Sequence, residues 1–175
     1  MLSNSNFRLY YISLVIAFFL INCRNNSINK EEERKIIIAT LDSFNEAAAR
    51  SDFNAYMNFF ADDAVFIGTD ATENWNKKDF MVWSKPFFDK GATWNFKSID
   101  RHIYFDKTGS VAWFDELLNT QMKICRGSGV LTKQANAWKI QQYVLSMTIP
   151  NNKIDTIINI KTAIEDSIIN SLIQK

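Results

Sequence analysis

Side chains that could move protons or hold a metal are few in this sequence. It has one histidine, His102, and two cysteines, Cys23 and Cys125. Transition-metal centres draw on clustered Cys and His at close spacing, so no metal site is expected. The sequence has no Gly-rich phosphate loop and no Ser/His/Asp set, and no cofactor is implied. The remaining chemistry rests on carboxylates and arginines set among apolar residues, and four segments carry them.

Over residues 94 to 105, Arg101 has the parity of Ile99, Ile103 and Phe105, which places it on the apolar, concave side of a strand with His102 pointing away. In the next strand Val111, Trp113, Asp115 and Leu117 share one face, and Phe114, Glu116 and Leu118 the other. Both faces are apolar, so the period alone does not choose between them. Asp115 is taken as inward because Trp113 is the larger anchor, with Glu116 as the rival. A carboxylate facing an apolar cavity must be paired or protonated, and either condition shifts its pKa in the way acid–base chemistry needs. A bridge from Asp115 to Arg101 or Arg126 would instead merely hold the sheet.

Arg126 alternates with Ser128 and Val130 against Gly127 and Gly129, whose missing side chains let a neighbour approach closely. Gln142 shares a parity with Trp138, Ile140 and Val144. Asp70 and Glu73 lie in the turn before Trp75, either at a pocket mouth or as acceptors for backbone N–H groups. Asp115 and Asp70 are therefore the candidates for a general base.

These residues need elements to position them. A helical stripe of Ile37, Leu41, Phe44 and Ala48 runs from Glu31 to about Arg50, and Ser51 and Asp52 cap a short helix through Phe60. A strand over residues 62 to 67 leads into the Gly68-Thr69-Asp70 turn, and a helix follows from about Lys77 to Phe88. The period then changes to two, giving strands over residues 94 to 105, 110 to 121, 124 to 133 and 137 to 147. After Pro150 comes an Ile-rich helix over residues 153 to 173, expected to pack on its own domain, with docking onto a partner as the alternative. Helices, then a strand meander, then one helix argue for an α+β fold with helices on one face of a curved antiparallel sheet.

Residues 1 to 22 read as an export signal, with a polar start carrying Arg8, an apolar run from Leu9 to Leu20, and a close at Leu20-Ile21-Asn22-Cys23. The run falls short of the roughly 20 residues needed to span a bilayer. The closing tetrad resembles the bacterial lipobox, although Asn22 departs from the usual small residue. That resemblance implies lipidation of Cys23 and a domain held on the periplasmic or surface side of a bacterial membrane, since several acyl chains suffice for stable anchoring. The expected organisation is a signal over 1–22, a tether over 23–30, one domain over 31–151 and a helical extension over 152–175.

Removing the signal takes away Arg8 alone, which leaves 19 of the 20 basic side chains against 19 acidic ones. A neutral balance with interspersed charges argues against nucleic acid as a partner. Cys125 is then the only thiol, and it reads as a small buried hydrophobe.

The run Gly68-Thr69-Asp70-Ala71-Thr72-Glu73, then Trp75, Phe80, Trp83, Pro86, Val111-Ala112-Trp113-Phe114-Asp115-Glu116, Arg126-Gly127-Ser128-Gly129-Val130-Leu131 and Trp138-Lys139-Ile140, resembles the SnoaL-like branch of the nuclear transport factor 2 superfamily over about residues 31 to 151. The resemblance implies a cone of helices around a strongly bent sheet, with a hydrophobic pocket open at one end. Relatives include isomerases, dehydratases, cyclases and hydrolases, and many with no demonstrated chemistry, so the fold does not settle the function. Gln142 stands where many relatives carry a pocket histidine, and without an imidazole the Asp/His pairing used by several of them cannot be assembled.

The leading expectation is a membrane-anchored binding protein for a small apolar or amphipathic ligand, with Trp75, Trp83, Arg101, Trp113, Asp115, Arg126 and Gln142 around it. The alternatives are a cofactor-free isomerase or hydro-lyase using Asp115 or Asp70 as base, and an interaction module that forms a homodimer.

Overall fold

The structure is a computed structural model and describes residues 28–135 and 137–174; the leader and Cys23 lie outside them. Helix α1 (Lys30–Ala49) starts where Asn29 Oδ1 accepts the N–H groups of Glu31 and Glu32, and three glutamates in its first turn complement its dipole. It buries Ile37, Leu41, Phe44 and Ala48. A left-handed Ser51 reverses the chain, and Asp52 caps the short α2 (Phe53–Asn58) by accepting the Ala55 N–H. Phe60, expected within that helix, opens strand β1 (Phe60–Ile67) instead.

Strand β2 (Asn74–Asn76), too short to leave a periodic signal, pairs antiparallel with β1. Asn76 caps α3 (Lys77–Asp89), and beyond its C-cap Lys90 the chain turns at Gly91, held at a φ of 63° where a side chain would be strained. Then come β3 (Lys97–Phe105), β4 (Val111–Thr120), β5 (Lys123–Gln134) and β6 (Ala137–Met147).

The six strands form one sheet in the order β2-β1-β6-β5-β4-β3. The antiparallel expectation needs one correction. β1 runs parallel to β6, so the sheet is mixed, because the chain crosses from β1 through α3 to the far edge before the meander returns to it. The sheet is curled without closing. Its inner face and α1 to α3 enclose a core of stacked rings, with Phe44 on Tyr56 at 4.5 Å and Phe66 on Phe80 at 4.0 Å between centroids. Such pairs add about 0.5–1.5 kcal/mol each beyond the area they bury.

Polar ties lock α1 onto the sheet. Glu33 accepts from Trp138 Nε1 at 2.7 Å and from Lys133, and these bonds hold its carboxyl below the usual range. Helix α4 (Ile154–Ile173) follows a 3-10 turn (Asn151–Lys153). The expectation that it packs on its own domain is not met, since none of its residues is buried.

Candidate functional site

The β1–β2 turn, the β4–β5 turn, the start of β3 and helix α3 meet at one end of the curled sheet. Between them lies a cavity of about 150 Å³, walled by Phe66, Trp75, Trp83, Trp94, Phe96, Met122 and Leu145, with Gly68, Thr69, Glu73 and Gln121 supplying its polar atoms. Strand β2 places Trp75 opposite Phe66, and α3 brings Trp83 onto it, the two indoles stacking at 4.7 Å and 28°.

Gly68 is needed for the turn beside them. A Cβ there would meet Glu73 Oε2 at 2.0 Å, so its absence lets the Glu73 carboxylate fold across the turn and accept the Asp70 N–H at 3.2 Å. The Gly68 N–H in turn donates to the Glu73 carbonyl at 3.0 Å.

Of the candidate residues singled out from sequence, Trp75 and Trp83 line this cavity, as does Glu73 from the turn before them; Asp70, Arg101, Trp113, Asp115, Arg126 and Gln142 do not. Arg101 is inward and 7% exposed, but its guanidinium is spent on Glu116 and Asp42, at 2.8 Å each, and on the Ile38 carbonyl. Asp115 corrects the expectation. It lies on the outer face with His102 at 3.5 Å and Arg126 at 3.3 Å, and Glu116 takes the inner position. Trp113 is outward too, because it stacks on Tyr104 across the β3–β4 pair at 5.9 Å rather than anchoring the core.

Gln142 is a second correction. Val130 faces Gln142 while Leu131 faces Ile140, so one extra residue in β6 flips the parity and Tyr143 turns inward. A similar irregularity between Ser98 and Asp100 turns Ile99 out to solvent. Asp70 accepts the N–H and hydroxyl of Thr72, at 2.8 and 2.6 Å, and these bonds lower its pKa. It is a turn acceptor, and neither Asp70 nor Asp115 reaches the cavity to act as its base. Cys125 is buried, beside Thr120 at 3.5 Å.

A second polar group lies inside the sheet, apart from the cavity. Glu116 is 1% exposed, and its burial raises its pKa more than the adjacent Arg101 lowers it. Among the described residues, Glu116 Oε1 and the Tyr143 hydroxyl have no hydrogen-bond partner. Both crowd the side-chain space of Gly127, where a Cβ would meet Tyr143 Oη at 2.8 Å and Glu116 Oε1 at 3.1 Å. Among the described residues no cluster of His, Cys, Asp and Glu is arranged for a metal.

The arrangement is built to enclose an apolar group. Seven aromatic or aliphatic side chains wall the cavity, and among the described residues the one carboxylate that lines it, Glu73, is already tied into its own turn. Sequence reasoning missed Trp94, Phe96, Met122 and Leu145, because a wall built from several elements has no signature within any one of them.

A curled six-stranded sheet wrapped on helices, with a cavity at one end, is the cone of the NTF2-like fold. The SnoaL-like domain family matches residues 37–150, and the chain belongs to it. Solved structures agree at the level of fold. A domain of unknown function with a cystatin-like fold from Nostoc punctiforme superposes with a TM-score of 0.59 at 14% identity, covering 81% of this chain and 97% of its own. An NTF2-like protein from Cytophaga hutchinsonii gives 0.55 at 14%, covering 66% and 98%. A protein from Streptomyces avermitilis, named as a candidate dehydratase of the NTF2-like family, gives 0.59 at 13%, covering 69% and 99%. None of the curated proteins compared with the chain matches it.

Proposed function

We propose that this SnoaL-like protein is a binding protein that holds one small apolar group, of the size of a single ring or a short alkyl segment, against Trp75 and Trp83. The carrying observation is the cavity of about 150 Å³ with its aromatic wall and its polar atoms confined to Thr69, Glu73, Gln121 and the Gly68 backbone. Its size decides the ligand class. Pockets for drug-sized ligands run to roughly 300–1,000 Å³, whereas an apolar cavity of about 150 Å³ is enough for benzene. The polar rim suits a ligand whose other end stays in water.

The same reading holds the domain on the periplasmic or surface side of a bacterial membrane through lipid on Cys23, supported by the three-part leader that ends there. Cys23→Ala is expected to move the protein into the soluble fraction, and retention on the membrane would overturn the anchor.

The binding reading is tested with benzene and toluene as probes, following tryptophan emission. Saturable quenching is expected, and Trp83→Ala should weaken it by about 1 kcal/mol or more, the order of a lost aromatic stack plus its area. Emission that changes only linearly with probe would refute it.

A further inference from the structure

Helix α4 carries a stripe that none of the domain's own surfaces accounts for. Ile154, Ile158, Lys161, Glu165, Ile168 and Leu172 alternate in steps of four and three, which sets them along one seam of a coiled coil. The stripe is open, with Ile154, Ile158 and Leu172 exposed to 42, 50 and 58%. It is apolar at both ends and charged in the middle, where Lys161 Nζ lies 2.7 Å from Glu165 Oε1.

We infer that α4 pairs antiparallel with α4 of a second copy of this chain, about a two-fold axis passing at Ala163. The stripe is self-complementary under that operation. Ile154 meets the partner's Leu172, Ile158 meets the partner's Ile168, and Lys161 meets the partner's Glu165, each contact occurring twice as an isologous interface requires. Two apolar layers thus close either side of a charged centre whose signs match. A parallel pair would set Lys161 against Lys161 and Glu165 against Glu165, so the charges fix the direction as well as the register.

The same residues argue against a lipid surface as the occupant. A helix lying in a membrane interface keeps charge off its apolar face and carries Lys and Arg on the other. Here the charged pair sits within the apolar stripe, and Lys161 is outnumbered on the helix by Asp155, Glu165 and Asp166.

The test measures association of the full chain by sedimentation equilibrium, for the natural protein, Lys161→Glu, Glu165→Lys and an equimolar mixture of the two. Neither side chain is buried and both lie outside the core, so the domain is expected to fold in every case. The natural chain is expected to dimerise, and each variant alone to associate about tenfold more weakly, because each reverses two cross-helix pairs. The mixture is expected to recover the natural affinity, a result that loss of the pair within one helix cannot give. A monomer at every concentration overturns the inference. So does a dimer indifferent to both substitutions, which would pair through another surface or in the parallel sense, and so does co-sedimentation of the monomer with phosphatidylcholine–phosphatidylglycerol vesicles through α4.

Discussion

Glu116 is a carboxylate kept in an apolar interior by a single arginine, and its titration turns on which of two opposing effects is larger. Burial raises its pKa above the ordinary 4.5, and Arg101 only partly opposes it. The folded protein therefore holds this proton more tightly than the unfolded chain does. The stability gained is full below the unfolded value and is lost as the pH rises through the folded one. Glu116→Gln, which mimics the neutral acid but turns an amide N–H toward Arg101, is expected to cost about 1–3 kcal/mol at pH 4. Urea unfolding at pH 4 to 7 should show that gap narrowing as the pH rises; a widening gap would mean that Arg101, not burial, governs the group. At this scale the sequence was half legible. It showed that one of the two neighbours Asp115 and Glu116 faces the interior, and it showed Arg101 on the same side. It could not say which, because Trp113 finds its apolar partner in Tyr104 on the outer face, a cross-strand contact that parity within one strand does not encode.

The strands themselves were readable from their period, and β6 falls where the alternation puts it, yet two single-residue irregularities decided which side chains meet. The extra residue in β6 exchanges Gln142 for Tyr143 on the inner face, and no residue type announces it. Its counterpart across the ladder is visible. A Cβ on Gly129 would meet the Gln142 backbone carbonyl at 2.2 Å, so the glycine is what lets the bulged strand close on β5. Gly127 is crowded by a hydroxyl and a side-chain methylene, at 2.8 and 3.1 Å, rather than by backbone. Gly129→Ala is therefore expected to destabilise by about 3 kcal/mol or more, since the ladder must move, and Gly127→Ala by about 1–2 kcal/mol, since Tyr143 and Glu116 can shift. Chemical denaturation of the two variants side by side checks the ranking, and equal costs would show that the bulge is not what Gly129 accommodates. The cavity walls were illegible for a related reason. Trp94, Met122 and Leu145 come from three separate elements, and only the curl of the sheet brings them to one place.

For the whole molecule, the same helix that carries ten isoleucines, leucines and alanines is the one that contributes nothing to the core. The Ile-rich pattern predicted a helix correctly and a packing partner wrongly, because amphipathicity says that a face will be covered without saying by what. That separation has a thermodynamic consequence. Association stabilises a fold only when the pairing requires that fold, and α4 buries none of its residues, so pairing through α4 and folding of the cone are expected to be uncoupled. A chain ending at Pro150 should melt within about 2 °C of the full protein, the shift of roughly 0.5 kcal/mol in a domain of this size, while its tendency to associate disappears. A fall of more than about 5 °C, well over 1 kcal/mol on the same scale, would place α4 back on its own domain.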